Sequence, residues 1–359
     1  MKICSIETEV KKIPLKTPFI TALRRVEFVE FVRVTLRCEN SLVGIGEAPA
    51  TKAITGEGIE EILDSILSVK ALLILHQPSS ALEILHDEKT KKFAIKNMGN
   101  SAKAALDMAL HSLMAHSVKL PLFSYLGAQK PIFLQTDITI SLNDTKTMLE
   151  DAKKAMNAGM SILKIKLGSD IAHAIEVTQS ITNELPHAKC IIDANQAWSL
   201  QDSLRYIDAF DGIKIELIEQ PVIAKDLQSL KTITEYSSIP ILADEAVFTL
   251  EDAKRVVQSK SANMINIKLM KCGGLTNAIE ILHYCRTNGV ACMLGSMLEG
   301  PYSINAALHL AIAYSDVISH IDLDSPLLYR DSSDELEFEF EGCEIHYRGN
   351  FKEIFLSKQ

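Results

Sequence analysis

Eight charged side chains between residues 164 and 324 are of types and spacings that could share one chemistry. Lys164 and Lys166 sit two residues apart in "SILKIKLGSD", Asp193 opens "DAN" and Glu219 opens "EQP". Asp244 lies in "ADE", Lys268 in "NIKLMKCGG", and Asp322 and Asp324 in "DLD". Three carboxylates with neither His nor Cys among them form a hard, oxygen-only set, which suits Mg2+ completed by water or substrate oxygens and weighs against zinc. The apolar residues around Lys164 and Lys166 read as a short buried strand, on which side chains two apart point to the same side. Two ammonium groups on one buried face repel, and a nearby Mg2+ adds to the effect. Both push Lys166 toward the range where a neutral amine accepts a proton. Each feature also has a plainer reading. An acid at a strand end could cap the next helix, and a lone lysine there could be solvated or ion-paired. Asn195 and Asn266, on the faces of Asp193 and Lys268, could support the site or serve packing and turns.

These residues need elements that bring them together, and the spacing supplies one. From Lys166 to Asp193 is 27 residues, then 26 to Glu219, 25 to Asp244, 24 to Lys268, 28 to Ser296 and 26 to Asp322. Each step is one β-α unit, and about eight units recur from residue 134 onward, the number that closes a (β/α)8 barrel. In such barrels functional groups project from the C-terminal strand ends, where every marker falls. Lys268, four strands on from Lys166, would face the opposite side of a bound substrate. A doubly wound sheet competes, but no Gly-rich phosphate fingerprint follows its first strand. The first third reads as mixed α+β. "KICSIETEVKKIPL" and "EFVEFVRVTLRCEN" alternate like strands, and three helical stretches follow, the last capped at Asn100 or Ser101. The tail "DELEFEFEGCEIHYRGNFKEIF" alternates again and is expected to return to the N-terminal region. The expected organisation is an α+β capping domain over 1–125, completed by 328–359, and a TIM-type catalytic barrel over 126–327.

Composition narrows the partners. The 359 residues are 47% hydrophobic and 23% charged, those of a globular protein with a sizeable core. A net charge of −9 argues against nucleic acid or an anionic membrane and leaves a small molecule as partner, with a homo-oligomer open. The N-terminus lacks the pattern of a signal peptide, and no run approaches a membrane span. Seven scattered cysteines with no C-x-x-C pair fit free thiols, so a cytoplasmic location is expected.

"KIK", "DAN", "EQP", "ADE" and "NIKLMKCGG", in this order and spacing, resemble the muconate-lactonizing subgroup of the enolase superfamily over nearly the whole chain. That resemblance implies a barrel with a capping domain, and Asp193, Glu219 and Asp244 as Mg2+ ligands. It implies Lys166 and Lys268 as the acid/base pair, in a superfamily that uses such bases beside Mg2+ to make ene-diolates. Lys164 would assist electrostatically and contact the substrate carboxylate. Glu245, next to Asp244, is expected to point off the shared face.

Within the subgroup the dipeptide epimerases are the nearest likeness. "DLD" presents two carboxylates suited to a substrate ammonium group. "TALRR" places Arg24 in a capping loop, where the matching arginine of the glutamate-preferring enzymes meets a side-chain carboxylate, although Arg25 could take that role. "ITG" (54–56) stands at the second capping loop, and Thr139 and Ser296 match substrate-contact positions. Met297 and Leu298 read as core packing. The implied activity is epimerisation of a dipeptide, L-Ala-D-Glu to L-Ala-L-Glu, in murein peptide metabolism, by two-base proton transfer. Racemisation of N-acylamino acids, cycloisomerisation and o-succinylbenzoate-forming elimination could use the same lysines and metal. Their substrates carry no ammonium to pair with Asp322 and Asp324. A non-catalytic binding homologue is disfavoured because both lysines and all three acids are present.

Overall fold

The structure is a computed structural model and describes residues 1–21, 25–87, 93–213 and 215–349. Strands β1 (Ile3–Ile20), β2 (Arg25–Cys38) and β3 (Val43–Pro49) form an antiparallel sheet in that order. Its inner face carries Ile3, Ile6, Val32, Val34 and Leu36, all buried, and is covered by the helices Ile59–Leu73 and Asn100–Ser117. The second helix presents small residues to the sheet, and β3 answers with glycine. A Cβ on Gly46 would stand 2.0 Å from the Ala105 carbonyl oxygen, so only glycine allows this approach. Neither Asn100 nor Ser101 is the side-chain cap of that helix. Gly99 is the N-cap residue, and the Glu57 carboxylate accepts from Ser101 N (2.7 Å) and Ala102 N (3.1 Å). An acid more than forty residues away does the capping, and it favours the positive end of the helix dipole.

After β4 (Leu134–Gln135) comes an eight-stranded parallel sheet in strict sequence order. Its strands are β5 (Ile138–Ile140), β6 (Ile162–Lys166), β7 (Lys189–Asp193), β8 (Leu217–Glu219), β9 (Ile241–Ala243), β10 (Met264–Lys268), β11 (Ala291–Gly295) and β12 (Ile318–Asp322). The ends meet through Asp137 N donating to Ile321 O (3.2 Å) and Leu323 N donating to Thr136 Oγ1 (3.0 Å), so the sheet curls into a nearly closed barrel. Helices return each strand to the next. Five of them are capped by Asp144, Asp170, Ser199, Asp226 and Thr249, which accept from main-chain N–H groups of the first turn. The capping role open to the strand-end acids is therefore filled by other residues, and Asp193, Glu219 and Asp244 are left to the mouth.

The tail returns in two ways. Residues 327–335 reach the N-terminal sheet: Leu15 bridges Tyr329, Lys16 donates to Leu327 O, and Arg33 pairs with Glu335 at 2.6 Å. The strands β13 (Phe338–Glu341) and β14 (Glu344–Tyr347) instead form a separate sheet with β4, in the order β13-β14-β4. All seven cysteines are free, and six are buried. No helix among the described residues is long and apolar enough to cross a membrane.

Candidate active site at the mouth of the barrel

Alternation along the strands sorts the barrel interior into layers. Ile191, Leu217, Leu242, Met264 and Met293 form a separate apolar cluster, with Ile162 packed against it. Two residues further along each strand the side chains become polar: Lys164, Asp193, Glu219, Asp244 and Asn266. Lys166 and Lys268 stand two residues beyond Lys164 and Asn266. Period-two geometry thus puts a dry floor under a charged mouth. Gly295 keeps the mouth open beside Lys268, because a Cβ there would lie 2.8 Å from Asn266 Oδ1 and 3.0 Å from Lys268 Cε.

The charges are interleaved. Lys164 Nζ, fully buried, donates to Asp322 Oδ2 at 2.5 Å and lies 2.6 Å from Glu219 Oε2 and 3.3 Å from Asp193 Oδ2. Lys166 Nζ donates to Asp193 Oδ2, and Lys268 Nζ to Asp244 Oδ2 at 2.8 Å. Asn266 Nδ2 donates to Glu219 Oε1 (2.8 Å) and Asn195 N to Asp193 Oδ1 (2.9 Å), so both asparagines support the acids. Asn195 (φ 44°), Gln196 (φ 66°) and Gln220 (φ 37°) lie in the left-handed region directly after Asp193 and Glu219. Side chains with a Cβ are rarely held there, and such strain gathers at functional sites.

Electrostatics follow from burial and these contacts. Burial is the strongest influence on each carboxyl and would raise it. At Asp193 the lysines 166 and 164 overcome burial and bring it to about 2, and at Asp244 Lys268 and Lys271 push it lower still. Glu219 goes the other way, to about 7, because burial and the charges of Asp193 and Asp244 outweigh Lys164. Burial lowers Lys164 and Lys268, but the surrounding carboxylates raise both above the ordinary lysine value. Lys164 therefore answers chiefly to Asp322, Glu219 and Asp193.

Asp193, Glu219 and Asp244 have the donor type and charge that suit a divalent cation, although Lys164 stands between two of them and their oxygens do not all lie within 4.8 Å of one another. Asp193 and Glu219 are register partners on β7 and β8, and Asp244 follows at the end of β9. Glu219 Oε2 and Asp244 Oδ1 are buried and accept no well-aligned hydrogen bond, although Lys164 Nζ and Lys271 Nζ each stand 2.6 Å away. Close ammonium groups satisfy charge here without satisfying direction, which leaves lone pairs for a metal. A second acidic group lies nearby. Asp137, Asp322 and Asp324 offer oxygens within 4.8 Å of one another, a crowding that either a cation or a proton can relieve.

A cavity of about 60 Å3 opens above the network. Of the residues expected from sequence, Lys166, Lys268, Asp244, Thr139, Ser296, Asp322 and Asp324 line it. Lys164, Asp193 and Glu219 lie fully buried beneath. Ile54 of "ITG" lines it, and so do Met297 and Leu298, which also pack into the hydrophobic clusters. Arg24 falls outside the described residues. Arg25 is exposed, 3.6 Å from Glu27, and borders a second cavity of about 400 Å3 that shares Phe19 and Thr139 with the first. Glu245 corrects an expectation. It faces the cavity beside Asp244 and accepts from Asn195 Nδ2 at 3.4 Å, because β9 ends at Ala243 and alternation stops there. Burial, then Asp244 and Asp193, raise it to about 8.

Sequence reasoning missed three buried groups. Gln220 Oε1 accepts from Asp244 N (2.9 Å) and Ala246 N (3.1 Å) and shapes the loop after β9. Lys271 Nζ donates to Asp244 O (2.5 Å) and Asn266 O (2.9 Å) and lies 2.6 Å from Asp244 Oδ1. Asp137 is wholly buried below Thr139. The "EQP" and "KLMK" spacings hold the signal for the first two, and only strand parity holds it for the third.

Comparison with known proteins gives a consistent picture. Residues 147–348 match the family described as Enolase C-terminal domain-like, and residues 5–127 match the Mandelate racemase / muconate lactonizing enzyme, N-terminal domain. The chain is 57% identical over 345 residues to an L-amino acid-D/L-Glu epimerase of Sulfurimonas denitrificans, covering 96% of this chain and 99% of that one. A substrate-liganded L-Ala-D/L-Glu epimerase from Bacillus subtilis superposes with a TM-score of 0.88 at 37% identity, covering 97% and 96% of the two chains. A dipeptide epimerase from Enterococcus faecalis, complexed with Mg and L-Leu-L-Tyr, superposes with a TM-score of 0.89 at 33% identity over 97% of each chain.

Proposed function

The chain belongs to the mandelate racemase / muconate lactonizing enzyme family, with an enolase C-terminal domain-like barrel, and from that premise we propose that it is a Mg2+-dependent dipeptide epimerase acting on L-Ala-D/L-Glu. It would be an isomerase that inverts the α-carbon of the second residue. The observation that carries the reading is the placement of Lys166 and Lys268. They end strands four apart in an eight-stranded barrel and line one cavity. A substrate between them has an amine on each face of its α-carbon. One lysine takes the proton from its side and the other returns a proton from the opposite side, which inverts the centre. An eliminating enzyme would instead need an acid aimed at a leaving group.

Asp193, Glu219 and Asp244 would hold Mg2+, which when bound stabilises the negative charge that deprotonation places on the substrate carboxylate. Lys164 adds a fixed positive charge from below. Asp322 and Asp324 face the cavity and suit the substrate ammonium group, which favours a dipeptide over an N-acylated amino acid. The similarity to an L-amino acid-D/L-Glu epimerase and an L-Ala-D/L-Glu epimerase supports glutamate as the second residue, and a fragment of the bacterial wall peptide would supply such a dipeptide. Arg24, or Arg25 beside the second cavity, would read the glutamate side chain. Six buried free thiols accord with a cytoplasmic setting.

The test is proton NMR of L-Ala-L-Glu in D2O with enzyme and Mg2+. Loss of the Glu α-proton signal with growth of the L-Ala-D-Glu spectrum, abolished by EDTA, is expected. Lys166→Ala and Lys268→Ala should each abolish interconversion while leaving one-sided α-proton exchange from a single epimer. Interconversion near the parent rate in either variant would refute the two-base assignment. An α-proton that stays put across a dipeptide library would refute the substrate class.

A further inference from the structure

β5 carries a carboxyl at the level where its neighbour carries an apolar side chain. Thr139 pairs with Lys164 in the β5–β6 register, and two residues back on the same face Asp137 comes level with Ile162, at the floor of the barrel. Asp137 is wholly buried, and neither of its side-chain oxygens accepts a hydrogen bond among the described residues. Burying an ionised carboxylate without donors is expensive. The neighbouring acids are better provided for. Asp322 accepts from Lys164 Nζ at 2.5 Å, and Asp324 accepts from Thr139 N at 2.7 Å.

Asp137 still belongs with them. One of its oxygens lies within 4.8 Å of oxygens of both Asp322 and Asp324. Its place is fixed by the strand closure, since Asp137 N donates to Ile321 O (3.2 Å) and Thr136 Oγ1 accepts from Leu323 N (3.0 Å), between Asp322 and Asp324. Asp322 and Asp324 line the cavity, whereas Asp137 lies behind them. Burial first, then the Asp322 and Asp324 charges, hold its carboxyl well above the ordinary range, with Lys164 acting against them. A buried carboxyl that keeps its proton becomes a hydrogen-bond donor. Two carboxylates crowded together gain from such a donor more than from a third charge.

We infer that Asp137 is a positioning residue of the ammonium subsite, a donor set below Asp322 and Asp324 whose one O–H holds a carboxylate of the pair toward the cavity and so sets the preference for a substrate with a free amino terminus. This rests on the dipeptide reading above. Asp137 touches no substrate atom and acts through that pair.

The test compares the whole protein with Asp137→Leu and Asp137→Asn. The readouts are kcat and KM for L-Ala-L-Glu, and the inhibition constant of N-acetyl-L-Ala-L-Glu, which lacks the ammonium group. Asp137→Leu keeps the branched shape, with bulkier methyl ends, and removes the donor. It should raise KM about tenfold, the loss of one charge-assisted hydrogen bond, with kcat within about threefold. The inhibition constant should move by no more than about twofold, because the inhibitor does not use the subsite. Asp137→Asn, whose amide donates as a protonated carboxyl does, should bring KM back to within about threefold of the parent. An unchanged KM in Asp137→Leu overturns the assignment while the dipeptide reading stands. Equal losses for substrate and inhibitor, or an Asn variant as impaired as Leu, do the same. A parent that exchanges no dipeptide α-proton overturns both together and is a distinct result. Should Asp137→Leu lose its cooperative melting transition, Asp137→Ala takes its place with the same outcomes.

Discussion

Lys271→Met isolates a buried lysine that the strand-end spacing alone does not mark. The Lys271 ammonium is buried, donates to Asp244 O and Asn266 O, and lies 2.6 Å from Asp244 Oδ1. It therefore ties the end of β10 to the end of β9 and fixes one oxygen of Asp244 while Lys268 holds the other at 2.8 Å. Methionine fills nearly the same volume, so the change carries little cavity cost and isolates the polar loss. Breaking a buried ion pair by removing one partner costs about 3–5 kcal/mol. Asp244 keeps Lys268, which places the expectation at about 3 kcal/mol. At roughly 2–4 °C per kcal/mol for a unit of barrel size, the melting temperature should fall by about 6–12 °C. Supporting partners of metal ligands are worth about 10–100-fold in affinity, so the rise in melting temperature on Mg2+ titration should need at least tenfold more metal. Differential scanning calorimetry with and without Mg2+ reads both quantities. A variant that melts within about 2 °C of the parent and responds to the same Mg2+ concentration would show that Lys271 is packing alone, and the reasoning would fail.

Metal binding separates the two acidic groups: Glu219→Gln should abolish the Mg2+-dependent rise in melting temperature, and Asp137→Asn should leave it within about twofold in Mg2+ concentration. The opposite pattern would move the ion to the Asp137, Asp322 and Asp324 group. Asp107 gives a pH dependence. It is buried, accepts from Leu275 N, Thr276 Oγ1 and His86, and so joins the helix Asn100–Ser117 to the barrel helix Leu275–Thr287. Burial would raise its carboxyl, but His111, His86 and Thr276 together pull it below the ordinary 3.8. A depressed acid adds stability above its unfolded value and loses it as pH falls through the folded one. Asp107→Asn should therefore melt several degrees lower than the parent at pH 7, with the gap closing as pH drops below 3.8. A gap that stays constant down to pH 3 would contradict the ion-pair account.

What could be read from the sequence depended on regular local geometry. The barrel was legible because each strand ends in a chemically distinct residue, and units of 24–28 residues repeat it. Lys164, Lys166 and Asp193 followed from parity on strands of five residues. Parity failed where the strand was too short or had ended. β9 stops at Ala243, so the turn rotates Glu245 back to the cavity, and β5 has only three residues, so the run of parity was too short to mark Asp137, just before it, as an inward acid. Long-range partners were illegible for another reason. That Glu57 caps the helix Asn100–Ser117, or that Lys271 turns inward to two carbonyls, is decided by which elements the core packs together.

The charge count of the mouth explains why so many ions tolerate burial. Asp137, Asp193, Glu219, Asp244, Glu245, Asp322 and Asp324 are buried around four lysines, Lys164, Lys166, Lys268 and Lys271. Fully ionised, the set would carry three negative charges in excess, far more than a low-dielectric interior accepts. Protons can offset this before a ligand binds, since burial and neighbouring acids raise Asp137, Glu219 and Glu245 together. Cations of two kinds can take the place of those protons. In the proposed epimerase a divalent ion would do so at the β7–β9 side, and the ammonium of a peptide would do so at Asp322 and Asp324. A dipeptide ending in glutamate brings two carboxylates as well, and these could not approach an acidic mouth unaided. The metal would then be a condition for binding as much as for proton transfer, and Lys164 on β6 would be the fixed positive charge that lets both anionic ligand and acidic cradle occupy one end of the barrel.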